Sequence, residues 1–423
     1  MIMNDVIIIG GGPAGAALGS YLSLAGIDNM IIEKAIHPRP HVGESMVPAS
    51  TLIFKEIGVL EKVDQAGFVR KYGAAWHPPS GSGVLDIQLG EFAEKEVEQP
   101  YTYHVERSQF DLLLLKHAES LGSKIYQGVR VNKVLFEEGY ACGVECQIGG
   151  QKVKLPARMV VDASGRNTLL GRQLKLMKKD AIFNQFAMYA WFEDVDRGDE
   201  RRADYIHIYF LPTERGWAWQ IPISDTITSI GVVTEREQFR QAKEDVEEFF
   251  YRHVRSSPDF AHAMRNAKRV NEFKCEGDYS YSMEKFVGNG FMLVGDAARF
   301  VDPIFSSGVS VALYSAKFAA ERIQKAFESR DFSAAAFQPY EEKLRSAVEI
   351  WYEFIRLYYK LQHIFTYFIQ NERHRQGVHR LLQGHVYDRR EVPVLNEMRK
   401  LIQAVEASET HVFKKHLTSI AID

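Results

Sequence analysis

The 423-residue chain predicts an α/β fold: a parallel sheet with crossover helices, a second sheet that is antiparallel, and a helical C-terminal region. Three observations carry this. The apolar run Val6-Ile7-Ile8-Ile9 enters a glycine turn, helical spacing follows over 13–25, and Met30-Ile31-Ile32-Glu33 is a second short apolar run, the pattern of a strand–helix–strand unit. Residues 184–235 alternate instead, most clearly over Tyr205 to Phe210 and Thr226 to Val233, as an antiparallel sheet does. From Gly308 onward the spacing is mainly helical and rich in aromatic residues, notably over 351–369.

The remaining elements follow in order. His37 to Pro48 is a loop with three prolines, and 50–66 is helical. Phe110 to Ser120 forms a second helix, and 124–160 alternates as a small antiparallel sheet that turns at Gly149-Gly150. Met159-Val160-Val161-Asp162-Ala163 and Phe291-Met292-Leu293-Val294 are buried strands returning to the first sheet, and 244–265 is helical. The expected domains are a discontinuous first domain, 1–180 with 276–340, carrying a small antiparallel insertion at about 72–102; an antiparallel sheet over 181–275; and a helical region over 341–423.

Apolar residues at 46% and charged residues at 25% are ordinary for a soluble globular protein. A net charge of −3, from 52 basic and 55 acidic side chains, points away from a nucleic-acid partner. Cys142, Cys146 and Cys275 lack metal-site companions, so no metal is expected. The odd cysteine count and the missing secretion signal favour the cytoplasm, and no apolar run approaches membrane-spanning length.

Gly10-Gly11-Gly12-Pro13-Ala14-Gly15 matches Gly-x-Gly-x-x-Gly between a strand and a helix, the Rossmann-like fingerprint of dinucleotide binding. Gly10 permits the tight turn, Gly12 lets the backbone approach a pyrophosphate, and Gly15 lets the helix pack closely. The helix amides face the phosphates, and Glu33 ends the second strand where a carboxylate can bind ribose hydroxyls. This fingerprint alone does not separate NAD from FAD. A later segment does: Gly295-Asp296-Ala297-Ala298 follows a buried strand and precedes Pro303-Ile304-Phe305-Ser306-Ser307-Gly308. Asp296 is suited to a ribityl hydroxyl, and the Pro303 loop with Gly308 and Val309 to the face of a flavin ring.

Together these two segments resemble the FAD-binding domains of the aromatic hydroxylase superfamily, which share a glutathione-reductase-like fold. The resemblance adds Arg107 as a phosphate-facing arginine and places Lys34, Gly43, Ser45 and Val129 among the cofactor contacts. Asp162-Ala163-Ser164-Gly165-Arg166 stands where the hydroxylases have Asp-Gly, a motif that serves both FAD and a nicotinamide donor. The displaced glycine implies that FADH2 comes from a separate flavin reductase.

Trp217-x-Trp219-x-Ile221-Pro222 resembles the Trp-x-Trp-x-Ile-Pro motif of flavin-dependent halogenases, in which the tryptophans keep flavin and organic substrate apart. Lys71, in Phe68-Val69-Arg70-Lys71-Tyr72-Gly73-Ala74-Ala75-Trp76, resembles that family's lysine, and Tyr72 to Trp76 reads as a buried strand that would hold it toward the core. Such a lysine hydrogen-bonds hypohalous acid or forms a haloamine, and the sequence leaves both open. Amides of Ser307 and Gly308 at a helix start suit a halide. Glu44 either orients Lys71 or satisfies local backbone groups.

Further segments, among them His41 to Pro48, Asn184-Gln185-Phe186, Phe300 to Ser310, Trp351 to Phe354 and Leu381 to Gly384, resemble pyrrole halogenases of the pyoluteorin and bromopyrrole type. The resemblance implies O2 and chloride or bromide as co-substrates, and a pyrrole-2-carboxyl thioester on an acyl or peptidyl carrier protein. It leaves a homodimer open. A halogenase of another tethered or free phenol or indole, or an FAD monooxygenase, is the alternative. Arg201, Arg202, Lys325 and Arg373 are unranked docking candidates for an acidic carrier. Tyr358, Tyr359, Phe365, Tyr367 and Phe368 either line a channel or pack helices, and Tyr314 and Lys317 are placed to face the pocket.

Overall fold

The structure is a computed structural model that describes residues 3–79, 81, 83–92, 100–277, 280–387 and 392–420. The first sheet is centred on Asn4–Ile9, whose Val6, Ile7 and Ile8 are wholly buried. Asn29–Glu33 pairs with it in parallel on one side, and the end of Gln151–Asp162 on the other, with Ile9 opposite Asp162. Phe291–Leu293 continues the sheet beyond Asp162. The helix Pro13–Leu24 packs between Arg107–Leu121 and Ser307–Ser329, which explains why nearly its whole surface is small and apolar.

Three expectations change here. Lys124–Gln127 does not start the antiparallel sheet: it pairs in parallel with Asn29–Glu33, because the Arg107–Leu121 helix brings the chain back by a crossover. Gln151–Asp162 is one strand of two uses, its first half antiparallel to Tyr140–Ile148 and its second half parallel to Asn4–Ile9. The helix expected over 50–66 is two, Ala49–Glu56 and Leu60–Gln65, parted at Gly58 with φ of +75°.

The second sheet runs in the order Lys268–Arg269, Gln185–Glu193, Thr228–Glu235, Trp217–Pro222, Ile206–Phe210, Gly73–His77 and Leu85–Gln88. Its last two strands come from the segment expected as an insertion of the first domain. Gly73–His77 pairs in parallel with Ile206–Phe210, so this hairpin extends the second sheet, while the 93–99 part of the expected insertion lies outside the described residues. Strand alternation gives the sheet two buried faces. One face, including Met188, Ala218 and Val232, packs on the helices Val246–Ser256 and Pro258–Met264. The other carries Tyr189, Ile208, Trp217 and Trp219 into the main core shared with the first sheet. That face positions the site.

The C-terminal helices close over this junction. Ala334–Lys360 brings Phe354, Tyr358 and Tyr359 inward, and Phe305 stacks on Phe354 with ring centroids 4.1 Å apart. Of the aromatic residues considered for a channel, Tyr358, Tyr359, Phe365 and Phe368 are buried in packing, whereas Tyr367 is exposed. Among the described residues no helix is long and apolar enough to cross a membrane.

Candidate functional site: two cofactor loops and a buried lysine

The glycine fingerprint has the three expected uses. Gly10 has φ of +110°, and a Cβ there would lie 2.4 Å from the Ala163 carbonyl oxygen. A Cβ on Gly15 would lie 1.9 Å from the Gly10 carbonyl oxygen. Both therefore serve chain packing. Gly12 differs: a Cβ there would meet only the Arg39 guanidinium, at 3.5 Å, so the backbone beside the helix start faces open space. Pro13 opens the helix, Ala14 is buried behind it, and the first-turn amides lack intrahelical acceptors.

Glu33 is buried, with its carboxylate accepting from the Gly11 amide at 2.7 Å and the Ala35 amide at 2.8 Å. This fixes its oxygens at the edge of the loop. Val129 is half-buried and donates to the Glu33 carbonyl, and Lys34 is exposed. Arg39, which sequence reasoning passed over, reaches the loop from the three-proline segment and is 3.5 Å from Asp111.

At the same, carboxyl end of the first sheet, Gly295 adopts φ of +58°, a Cβ there would lie 3.0 Å from Ala14 Cβ, and Asp296 follows. Among the described residues the Asp296 carboxyl has no hydrogen bond from the chain, and burial pushes it up to about 6 against the pull of Arg107 and Arg166. A half-buried carboxyl left free at the mouth of a dinucleotide loop, together with the open side of Gly12, fits FAD. Nearby, Ser306 holds the left-handed conformation without being glycine, φ +56°, so that the helix Ser307–Ser329 starts abruptly. Pro303 and Gly308 are half-buried at this turn and Val309 is buried. The Ser307 and Gly308 amides fall in the first turn, which has no intrahelical acceptors.

Lys71 is the buried cation that its strand implied. The strand Val69–Lys71 pairs with Thr102–His104, and the loop through Ser45 runs along the other edge of that strand, with Ser45 opposite His104. Lys71 Nζ donates to Ser45 Oγ at 3.0 Å and to the Met46 carbonyl at 2.9 Å. The side chain is 4% exposed, and burial pushes the amine down to about 7. Near neutrality it therefore exchanges between ammonium and amine. Tyr72 does not share this burial; it is exposed, and the buried strand begins at Gly73.

The two tryptophans reach two different loops, that of Pro303 and that of Glu44. Trp217 Nε1 donates to Tyr359 Oη at 2.9 Å, and Tyr359 donates to Asp302 Oδ1 at 3.1 Å, next to Pro303. Burial pushes Asp302 up to about 7, against the Ile304 amide and the Tyr359 hydroxyl. Trp219 Nε1 donates to Ser229 Oγ at 3.1 Å, and Ser229 lies beside the Glu44 carboxyl. The rings sit 5.9 Å apart, and Gly231 opposite Trp219 leaves room for its indole, since a Cβ there would overlap it at 2.2 Å.

The structure gives the partners of four further groups of sequence candidates. Glu44 does neither of the things expected of its side chain: its Oε1 accepts from Trp191 Nε1 at 2.8 Å, its Oε2 is buried without a partner, and burial raises its pKa. It ties the 37–48 loop to the second sheet. Arg107 is anchored from within the chain. Its guanidinium grips Asp111 at 2.8 and 3.0 Å and the carbonyls of Val42 and Gly43, because the helix places Asp111 one turn on. Tyr314 stacks on Tyr387 at 3.7 Å and Lys317 pairs with Glu56. Arg201 and Arg202 are paired with Asp86, and Arg373 with Glu397.

The three cysteines are unpaired, and the described residues hold no cluster of three or more potential metal ligands. Trp191, Asp302 and His104 were missed, since each matters through a distant partner, Trp191–Glu44 lying 147 residues apart, Asp302–Tyr359 57 and His104–Asp204 100.

Residues 5–80 and 88–416 match the tryptophan halogenase family. The chain belongs to this family of flavin-dependent halogenases. A 1H-pyrrole-2-carbonyl-[peptidyl-carrier protein] chlorinase of Pseudomonas fluorescens is 45% identical over 437 aligned positions, covering 99% of this halogenase and 97% of the relative. A corresponding brominase of Pseudoalteromonas luteoviolacea is 32% identical, with 91% and 92% covered. Among solved structures, the flavin-dependent brominase Bmp2 superposes with a TM-score of 0.87 at 29% identity, covering 96% of this chain and all of that one. The myxobacterial chondrochloren halogenase CndH gives 0.80 at 28% identity, with 95% and 97% covered. The halogenase thus uses FAD and a halide, and the FAD-binding α/β fold expected from the two cofactor segments together holds.

Proposed function

We propose that this halogenase chlorinates or brominates a pyrrole-2-carboxyl group held as a thioester on the phosphopantetheine arm of an acyl or peptidyl carrier protein. The observation that carries this reading is the end-to-end match to the pyrrole-2-carbonyl chlorinase, with nearly all of both chains aligned. Pyrrole is electron-rich enough to take a halogen directly, and substitution falls at the ring carbons remote from the thioester, C4 and C5.

When bound and reduced, FAD supplies the two electrons with which O2 and halide yield hypohalous acid and water. The chain's own residues do the rest. Gly10, Gly12, Pro13, Ala14 and Gly15 cradle the pyrophosphate, Glu33 takes ribose hydroxyls, and Asp296 takes the ribityl chain. Amides of Ser307 and Gly308 hold the halide. Trp217 and Trp219, held by Tyr359 and Ser229, wall the flavin off from the ring. Lys71 meets the hypohalous acid either as an ammonium that polarises it or as an amine that accepts the halogen. Its position beside Ser45 and its lowered basicity support both. The net step is C–H plus HO–X giving C–X plus water. A separate flavin reductase supplies FADH2; supporting this, the Asp162 carboxylate is already spent on the Ser164 and Leu170 amides.

The test is product mass after incubation with pyrrolyl carrier protein, a flavin reductase, O2, and chloride or bromide in separate runs. A gain with the halogen isotope pattern on the tethered ring supports the reading. Halogenation of a free phenol or indole with the carrier untouched replaces it by the alternative substrate class.

A further inference from the structure

Electrophilic substitution leaves a proton on the ring carbon, and none of the residues discussed so far removes it. His104 sits where such a base is needed. In the strand pairing Lys71 is opposite Thr102 and Val69 opposite His104, so the Lys71 and His104 side chains leave the same face as diagonal neighbours. Diagonal neighbours of this kind lie roughly 7–8 Å apart, within reach of long side chains. Ser45 joins them: it accepts from Lys71 Nζ and pairs with His104 across the bridge.

The imidazole is prepared to accept a proton. His104 Nε2 lies 3.1 Å from the Asp204 carbonyl oxygen, which can only accept, so Nε2 carries the hydrogen and Nδ1 the lone pair. Nδ1 is buried and, among the described residues, has no hydrogen-bond partner. Burial, with Lys71, Arg197 and His207 as the charged or chargeable groups around it, holds the ring well below the usual imidazole range, and the Asp204 carbonyl opposes them only partly. The imidazole is therefore neutral before each turnover. A halogenated ring cation is far more acidic than any imidazolium, so the transfer still runs downhill.

We propose that His104 is the catalytic base of the substitution, taking the displaced ring proton on Nδ1. The inference rests on the ring-halogenation reading above. The ring carbon–halogen bond forms as the O–X bond breaks and hydroxide leaves. The C–H electron pair returns to the ring, the proton goes to Nδ1, and imidazolium then gives it to the hydroxide to make water. Neighbouring positive charge speeds that last transfer.

The experiment compares the FAD-loaded wild type, His104→Gln and His104→Phe on carrier-bound pyrrole with protium or deuterium at the ring carbons. The wild type shows no isotope effect on ring halogenation. Both variants bind FAD normally and lose about 100-fold or more in halogenation rate, and a primary deuterium isotope effect appears, because C–H cleavage has become the slow step. Gln keeps a donor for the Asp204 carbonyl, so it carries the test if Phe impairs folding. Halogenation at the wild-type rate in His104→Gln, or a loss without an isotope effect, overturns the proposal while leaving the substrate reading intact. A wild type that leaves the carrier-bound ring unhalogenated overturns both.

Discussion

The Gly10–Gly15 loop and the Lys71 pocket lie at one junction but are built by opposite means. The loop is six consecutive residues whose function is backbone shape, with side chains mostly removed to let chain and ligand approach. The pocket is made of side chains from the 44–46 loop, Val69–Lys71 and Thr102–His104, and the second sheet adds Trp191, Trp219 and Ser229 around Glu44. A contiguous backbone motif tolerates almost no added atom. A side-chain pocket tolerates changes of shape but not of chemistry.

Substitutions separate the two. The largest effect is expected at Gly15→Ala, whose Cβ would sit 1.9 Å from a backbone oxygen that has no soft side chain to yield. No FAD-loaded protein should be recovered, as judged by bound flavin absorbance. Gly12→Ala, which meets only a guanidinium at 3.5 Å, should fold and hold FAD more weakly. Equal FAD occupancy in the two would break the comparison.

Lys71→Met comes next. It keeps length and burial but removes the amine, so FAD binding and folding should persist while halogenation falls by about 100-fold or more, measured as halogenated product per FADH2 consumed. Tyr359→Phe should cost less. It leaves Trp217 Nε1 buried without its acceptor, a loss of about 1–3 kcal/mol in chemical denaturation.

A further effect is a pH slope. The folded Lys71 amine has its pKa near 7 against 10.5 for an unperturbed lysine. Between these values the unfolded chain binds more protons, so the stability of the wild type relative to Lys71→Met should rise as pH goes from about 7 to 10, and stay flat below 7. Denaturation of both proteins across that range checks it.

The same contrast explains what was legible in the sequence. The glycine loop, Glu33 and Asp296 follow from local rules, since strand, turn and helix are adjacent in the chain. The Lys71 strand and the Trp217/Trp219 pair were legible as a buried strand and as two residues on one strand face, but their partners were not. Glu44 was misjudged because its acceptor geometry is decided by Trp191 on another sheet. The 73–88 hairpin was assigned to the wrong sheet for a similar reason: its parallel neighbour, Ile206–Phe210, lies more than a hundred residues away. Periodicity reports which face is buried and is silent on what buries it.

The central claim is tested most directly by the mass of the carrier-bound pyrrole after reaction with wild type and with Lys71→Met, each loaded with FAD and supplied with reductase, O2 and halide. The account predicts a halogen mass gain on the tethered ring with the wild type, and none with Lys71→Met although both consume FADH2. Oxygen incorporation without halogen in the wild type, or halogenation at an equal rate by Lys71→Met, would contradict it.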